Sequence, residues 1–476
     1  MGALWTLDAL ADATGARLTG TPAREISGVS IDSRSITAGE AFFAIKGDRV
    51  DGHDYVADAL ARSAALAVVA EDRAAAMPTN APLAIVPDVL EALRALARAA
   101  RARSRAKVIA VTGSAGKTGT KEALRLALSR DGETHASAAS FNNHWGVPLS
   151  LARLPASARY AVFELGMNHA GEIEPLSRLV RPHVAIITTI EAVHLEYFPN
   201  VEAIADAKAE IFLGLEAGGA AVLPRDNPHF ERIAAAARAA NVERIVGFGE
   251  HAQADARLID TALLSDRSTV RATILGDDVT YKLGAPGRHL VLNSLAVLAA
   301  ATLAGADLAM AALALADLEP PSGRGRRIPL ELVGGKALLI DESYNANPAS
   351  MRAALEVLGR APIGRNGRRI AVLGDMLELG PDGPELHRGL AEAISAARID
   401  VVYCAGPLMR ELWEALPATQ RGGYAEAAAD LEDEIAGAMH PGDAVMVKGS
   451  NGIRMGPLVD ALSRKFSALA SADVTA

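Results

Sequence analysis

The chain has 476 residues, half of them hydrophobic, and a formal net charge of −9 at pH 7. That apolar content can fill several packed cores at about 100–200 residues per domain, which excludes a disordered chain. The acidic balance excludes a broad nucleic-acid surface, since a phosphate backbone needs a basic face.

The first zone runs over residues 1–105. It opens on "MGALWTLDALADATG", where Asp8 and Asp12 stand in place of the basic start of a signal peptide. The short apolar runs "AFFAI" (Ala41–Ile45) and "ALAVVA" (Ala65–Ala70) flank the turn-rich "KGDRVDGHDY" (Lys46–Tyr55). The stretch from Val89 to Ala106 has helical periodicity without Gly or Pro, and predicts a helix leading into the next unit.

The second zone covers residues 106–319. Apolar runs alternate with Ala-rich helical stretches: "KVIAVTG" from Lys107, "YAVFELG" from Tyr160, "VAIITTI" from Val184, "GAAVLP" from Gly219 and "RIVGFG" from Arg244. Continuous apolar strands alternating with helices predict a parallel sheet covered on both faces. The Ala-rich stretch from Asn293 to Leu318 closes this unit. Its apolar part, Leu295–Ala306, is too short for the roughly 20 residues that span a bilayer.

"EPPSGRGR" (Glu319–Arg326) is a Pro/Gly-rich break that reads as a linker. The third zone, residues 320–476, repeats the alternation with "ALLIDES", "RIAVLGDM", "VVYCAG" and "AVMVKGS", which predicts a second doubly wound α/β unit. The single cysteine, Cys404, cannot form an internal disulfide, and fits a reducing compartment. A cytoplasmic protein is expected.

Most of these apolar runs end in residues with chemical potential: Thr112-Gly113, Glu164, the segment leading to His194, Asp341, Gly374-Asp375 and Lys448. Ligands of open α/β sheets bind beyond the carboxyl ends of the strands, so these residues are expected along one edge of each unit.

The richest of these strand exits is "VIAVTGSAGKTGTKEAL" (Val108–Leu124). A P-loop presents backbone N–H groups and a helix N-terminus to phosphate. The usual form has four residues between its first glycine and the Gly-Lys pair. Here Ser114 and Ala115 alone separate Gly113 from Gly116-Lys117. Lys117 is expected on the phosphates and the Thr118 hydroxyl on Mg²⁺, an ion that takes hard oxygen ligands. Glu164 and His194, at strand ends beside this loop, are further candidates for the metal. Taken singly, Glu164 also reads as a cap, His194 as a loop histidine and Lys208 as a solvated lysine of an amphipathic helix.

Together these motifs resemble the Mur ligases, the ATP-dependent amide ligases of peptidoglycan synthesis. The form "TGSAGKT" is similar to their compressed P-loop, and the likeness runs over essentially the whole chain. "NNHWGVPL" (Asn142–Leu149), "ELGMN", "AKAEIF", "GRHLVLN" (Gly287–Asn293), "DESYNANPASM" (Asp341–Met351), "LGDMLELG" and "KGSNGIRM" carry it further. "SYNANP" resembles the branch that adds a D-alanyl-D-alanine dipeptide, and not the branch that adds the third amino acid. Trp145 departs from the pattern, standing where a smaller aliphatic residue is common.

The resemblance implies three domains: a small α/β UDP-substrate domain, a central P-loop-type ATPase and a C-terminal Rossmann-like α/β domain. It implies a monomeric enzyme joining D-alanyl-D-alanine to UDP-N-acetylmuramoyl-tripeptide with ATP and Mg²⁺, through an acyl phosphate. The third residue of the tripeptide stays open between meso-diaminopimelate and lysine. Asp32, Ser33, Arg34, Lys46, Gly47, His53, Asn142 and Asn143 are implied on the UDP-substrate. Gly113, Ser114, Ala115, Gly116, Lys117, Thr118, Asn293, Arg324, Asp341 and Asn345 are implied on ATP, with Arg324 preferred to Arg326. Lys117, Glu164, His194 and Lys208 are implied as catalytic, and Thr118, Glu164, His194 and Lys208 as metal ligands. Lys208 is expected to be carbamylated, which turns an ammonium into a carboxylate-like oxygen ligand.

Overall fold

The computed structural model describes residues 3–47, 49–138, 140–193 and 195–472. His194 therefore lies outside the described residues. Three larger sheets follow one another along the chain, besides a two-stranded pair of Trp5–Thr6 with Glu25–Ile26.

The first sheet has five strands: β1 (Arg17–Thr19), β2 (Gly28–Ser30), β3 (Glu40–Phe43), β4 (Leu66–Ala70) and β5 (Leu83–Val86), in the order β1-β5-β4-β3-β2. Only β1 runs antiparallel to its neighbour. The expected helix follows as α1 (Val89–Arg103), capped by the Asp88 side chain on the Glu91 N–H. It buries Leu93, Leu96, Ala97 and Ala100 on one face.

The central sheet has nine strands. In chain order the elements are β6 (Lys107–Thr112), α2 (Lys117–Ser129), β7 (Thr134–Ala136), α3 (Gly146–Ala152), β8 (Tyr160–Glu164), β9 (Val184–Ile187) and α4 (Val201–Ala209). They continue with β10 (Ala220–Pro224), β11 (Arg244–Gly249), β12 (Ala256–Leu263), β13 (Ser268–Ile274), β14 (Asp277–Leu283) and α5 (Arg288–Leu303). The strand order is β14-β13-β12-β11-β10-β9-β6-β8-β7. β6 thus lies between β8 and β9, where the winding direction reverses and a crevice opens at the strand ends. Parallel pairing runs from β7 to β12, and β12–β14 close the sheet as an antiparallel meander.

That meander is an addition to the predicted alternation. Its strands bury every second residue in places, as in "STVRATI", so they lack the continuous apolar runs that mark fully buried strands. α5 is buried on nearly all sides, from Val291 to Ala301, because it packs on the sheet with α2 against it.

The third sheet has six strands: β15 (Arg326–Leu332), β16 (Gly335–Glu342), β17 (Arg369–Gly374), β18 (Val401–Ala405), β19 (Arg421–Ala425) and β20 (Ala444–Lys448). Between β16 and β17 lies α6 (Pro348–Gly359), whose N-terminus is a capping box of Asn347 with Ser350. The order β15-β16-β20-β17-β18-β19 is parallel except at the β15 edge, the expected doubly wound form. No helix among the described residues is long and apolar enough to cross a membrane.

Side chains near the ends of α1 and α3 tie the first sheet to the central one. The Trp5 indole N–H donates to the Ala152 carbonyl at 2.9 Å, and Arg153 Nε donates to the Val29 carbonyl at 2.6 Å. The Arg103 guanidinium lies 3.5 Å over the Trp5 ring. Arg101 is buried, donating to the carbonyls of Val180 and Arg181 at 2.8 Å each and pairing with Glu216 at 3.3 Å. Arg101→Ala strands these buried acceptors, and a loss of about 1–3 kcal/mol is expected. It should be read as a lower thermal unfolding midpoint, with the wild-type midpoint unchanged under the same buffer.

Candidate active site

β6 delivers the chain to the crevice, and the next four residues form a loop that only small residues can make. Gly113 has φ +145° and Gly116 φ +82°. A Cβ at Gly113 would lie 1.9 Å from Thr188 Oγ1, and one at Gly116 would lie 2.6 Å from Asn293 Nδ2. The loop is pinned to the segment after β9. The Ser114 N–H donates to the Thr189 carbonyl at 2.9 Å, while its hydroxyl accepts from the Glu191 N–H at 2.9 Å. Thr188 Oγ1 donates to the Ala115 carbonyl at 2.5 Å. Ser114 is therefore a staple rather than a free donor. The N–H groups of Ala115 and Gly116 have no acceptor among the described residues. Those of Lys117 and Thr118 open the first turn of α2, so the loop offers an anion a row of donors at a helix N-terminus.

Lys117 folds back to donate from Nζ to the Gly113 carbonyl at 2.7 Å. Burial pushes its ammonium below the ordinary lysine range, Glu164 opposes this, and Arg324 adds to it. Thr118 Oγ1 donates to Glu164 Oε2 at 2.8 Å, and Asn142 Nδ2 donates to Glu164 Oε1 at 2.8 Å. Glu164 is 1% exposed. Each of its oxygens thus holds one neutral donor and keeps lone-pair capacity for another.

Lys208 sits in the last turn of α4, only 2% exposed, and its ammonium has no hydrogen-bond or ion-pair partner among the described residues. Burial first, and the like charge of Lys117 second, hold it well below the usual lysine range. It does not line the cavity described next. The described residues contain no group of three or more His, Cys, Asp or Glu side chains arranged around a common metal position.

The loop opens into a cavity of about 620 Å³ shared by the central and third sheets. Residues 114–118, Ser140, Asn142, Glu164, His289 and Asn293 line one side; Arg324, Glu342, Tyr344, Asn345 and Lys448 line the other. Arg324 stacks 4.0 Å over the Tyr344 ring and reaches Ser140 Oγ at 3.3 Å, across the cleft. Lys448 Nζ donates to the Asn345 carbonyl at 3.0 Å and pairs with Glu342 at 3.3 Å. Arg326 is exposed and does not line the cavity, whereas Arg324 does.

Asp341 does not line the cavity; its carboxylate is buried and bonded to Gly323 and Ser343, and Glu342, the next residue, faces the cavity instead. Asp375 likewise turns inward, accepting from the Met409 N–H at 2.7 Å and the Leu408 N–H at 3.2 Å.

The residues expected on a nucleotide-sugar divide into two groups. Asp32, Ser33, Arg34, Lys46, Gly47 and His53 belong to the first sheet and its loops, and none lines the cavity. Asp32 and Arg34 pair with each other at 2.8 Å, and Lys46 bridges to Asp51 through the backbone. Both His53 ring nitrogens are taken, Nδ1 by Asp51 at 2.6 Å and Nε2 by the Ala70 N–H at 3.0 Å, so His53 shapes the loop. Asn142 and Asn143 lie instead on the central sheet's side: Asn142 holds Glu164, and Asn143 Oδ1 caps α3 through the Gly146 N–H at 2.9 Å.

Sequence reasoning passed over Asp226 and Asn227, which line the cavity just after β10. Asn227 Nδ2 donates to the Ile190 carbonyl at 2.9 Å, and Asp226 accepts from the N–H groups of Glu250 and His251 at 2.7 Å each. The strand-end rule applied to "AAVLPRDN" would have found both.

Three family models match the chain: Mur ligase family, catalytic domain over residues 25–114; Mur ligase middle domain over residues 111–301; and Mur ligase, glutamate ligase domain over residues 327–451. The chain is 32% identical over 432 residues to a Rickettsia prowazekii protein named UDP-N-acetylmuramoyl-tripeptide–D-alanyl-D-alanine ligase, covering 91% of this chain and 94% of that one. Among solved structures, MurF from Acinetobacter baumannii matches with a TM-score of 0.82 and 32% identity, covering 97% of this chain and 99% of that one. MurF ligase from Thermotoga maritima in complex with ADP matches with a TM-score of 0.75 and 25% identity, over 93% of this chain and 98% of that one.

The loop geometry sets its own test. Gly113→Ala places a methyl group against Thr188 at a positive φ, so the loop cannot keep its shape. Titration with ADP followed by calorimetry should show the wild type binding and the variant losing at least about fivefold in affinity, since a strained φ alone costs about 1–3 kcal/mol.

Proposed function

The chain belongs to the Mur ligase family, and we propose from that membership that it joins D-alanyl-D-alanine to UDP-N-acetylmuramoyl-tripeptide with ATP. The step builds a peptidoglycan precursor and so serves cell-wall synthesis, cell shape and division. The observation that carries the reading is the shared cavity, where the glycine loop with Lys117 and Glu164 faces Arg324, Asn345 and Lys448 of the third sheet. On this reading residues 1–105 hold the UDP-substrate, 106–319 bind ATP, and 320–476 close over it, in a cytoplasmic monomer.

A carboxylate in water resists attack by an amine because its oxygen is a poor leaving group. Transfer of the ATP γ-phosphoryl group to the peptide carboxylate forms an acyl phosphate and releases ADP. The dipeptide amine then attacks the acyl carbon, and the tetrahedral intermediate collapses to amide and phosphate. Two anions must meet in the first step, so positioning and charge stabilisation dominate. The N–H groups of Ala115, Gly116, Lys117 and Thr118 hold the phosphates, and Lys117 exchanges the Gly113 carbonyl for a phosphate oxygen. Asn293 and Asn345 border the nucleotide, and Arg324 brings positive charge from the third sheet. Closure of that sheet shields the acyl phosphate from water.

The donor set suits a magnesium ion. Thr118 and Glu164 offer hard oxygens, His194 completes the proposed set, and Lys208 joins it once carbamylated. Carbamylation joins a neutral amine to CO₂ with loss of a proton, and burial, which lowers the basicity of Lys208, favours that neutral form. Held by these residues, a magnesium ion would supply positive charge between the triphosphate and the acceptor carboxylate.

Three outcomes test the reading. Phosphate release from ATP should require UDP-N-acetylmuramoyl-tripeptide and D-alanyl-D-alanine together, and fall to background with single amino acids; equal release with either acceptor would refute the dipeptide assignment. Lys117→Ala should lower kcat by at least about 100-fold, the scale of losing one preorganised charge contact, with an unchanged circular dichroism spectrum. Lys208→Ala should lose activity and regain part of it with added short carboxylic acids, and no regain would leave Lys208 without its proposed role.

A further inference from the structure

α2 carries a second buried lysine, one turn beyond Lys117. Lys121 is 0% exposed and does not line the cavity. Its Nζ donates to the Ser137 carbonyl at 2.7 Å and pairs with Glu122 Oε1 at 2.9 Å. Ser137 is the first residue after β7, an edge strand of only 3 residues. There the chain leaves the sheet for α3, and on the way it supplies Ser140, which Arg324 reaches, and Asn142, which holds Glu164. The Asn142 end is fixed to the segment after β8, since its carbonyl accepts from the Gly166 N–H at 2.8 Å. At the Ser137 end, the N–H donates to the Val162 carbonyl at 3.2 Å, and Oγ accepts from the Glu164 N–H at 3.4 Å.

We infer that Lys121 is a positioning residue for the acceptor side of the site: from the second turn of α2 it holds the origin of the β7–α3 connection, so that one helix sets both the phosphate loop at its N-terminus and the place of Asn142 beside Glu164. This rests on the reading above, in which the loop holds ATP and Asn142 lies on the UDP-substrate side. Taking an ammonium out of water is costly, and only close, fully bonded partners offset it. An apolar side chain would fill the same space without that cost, so the packing of α2 alone does not account for a lysine. The edge strand is short and leaves its last carbonyl without a strand partner on the outer side. A charge-assisted bond to that carbonyl is stronger than a neutral one, and it fixes where the connection starts. Lys117 and Lys121, four residues apart on one side of α2, thereby divide the work: the first faces the cavity and the second anchors the chain that borders it.

The test uses the full-length enzyme and measures kcat, KM for UDP-N-acetylmuramoyl-tripeptide, ADP affinity by calorimetry and the thermal midpoint. Lys121→Met keeps an unbranched stem and removes the charge and the donors. Its kcat/KM for the UDP-substrate should fall by about 100-fold, the scale of an ångström-level misplacement. Its ADP affinity should stay within about twofold of wild type, because the loop N–H groups that hold phosphate are untouched. In an Asn142→Ala background the same change should cost less than about threefold, because the two residues act as one unit. If Lys121→Met does not fold, Lys121→Gln, whose amide is too short to keep the Ser137 bond, carries the same comparison with the same deciding outcomes. A matching loss of ADP affinity would overturn the proposal, as would equal losses in both Asn142 backgrounds or a near-normal kcat/KM for the UDP-substrate. Failure of the ligase reading is seen separately, as wild-type enzyme that releases no phosphate in response to the two substrates.

Discussion

Everything in this site is arranged around a buried carboxylate with no ion pair among the described residues. Glu164, at the end of β8, must be satisfied by hydrogen bonds, because an unpaired charge in a low-dielectric interior is costly. Thr118 and Asn142 meet that demand, one on each oxygen. The arrangement follows from strand register: β8 runs parallel to β6 with Glu164 opposite Val111, so the acid emerges beside the glycine loop. Asn142 comes from the segment that leads into α3, and the far end of α3 is gripped by Trp5 and extended by Arg153 to Val29. The carboxylate is therefore tied through a single short helix to the first sheet.

The cavity is asymmetric in charge. Lys117 and Lys208 are both held below their usual range, by burial before anything else, and each carries the other or Arg324 as a like-charged neighbour. At the cavity itself, Lys117 and Arg324 are the like-charged pair, and an incoming polyanion relieves their repulsion. The lysine without a bonded partner and the lysine folded onto the Gly113 carbonyl express the same condition. Of the two, only Lys117 lines the cavity.

Much of this was legible in the chain. The compressed glycine loop, the strand-end positions of Glu164 and Lys448, and the alternating units of the second and third zones were read from local pattern, because apolar runs and turn residues act over a few positions. What local pattern leaves out is which side chains already have partners. His53 and Asp341 looked like ligand contacts in loops and strand ends, yet their polar atoms are used up by Ala70, by Gly323 and by near neighbours. Asn142, expected on the UDP-substrate, also donates to Glu164, which local pattern does not reveal. The meander β12–β14 escaped notice because edge strands with a polar face carry a weaker hydrophobic signal than buried parallel ones.

The sequence by itself determined the class of chemistry: a phosphate loop, the acid and lysines to accompany it, and the α/β units that carry them, each encoded in contiguous residues. Only the tertiary structure decided which polar side chains remain available to a substrate. Availability depends on whether a donor or acceptor has already found a partner, and those partners lie on strands and turns as much as 22 residues apart for Glu164 and Asn142, or 184 apart for Arg324 and Ser140. Hydrogen-bond saturation is a property of the folded surroundings, so of Asp341 and Glu342, adjacent in the chain and alike in charge, only Glu342 lines the cavity.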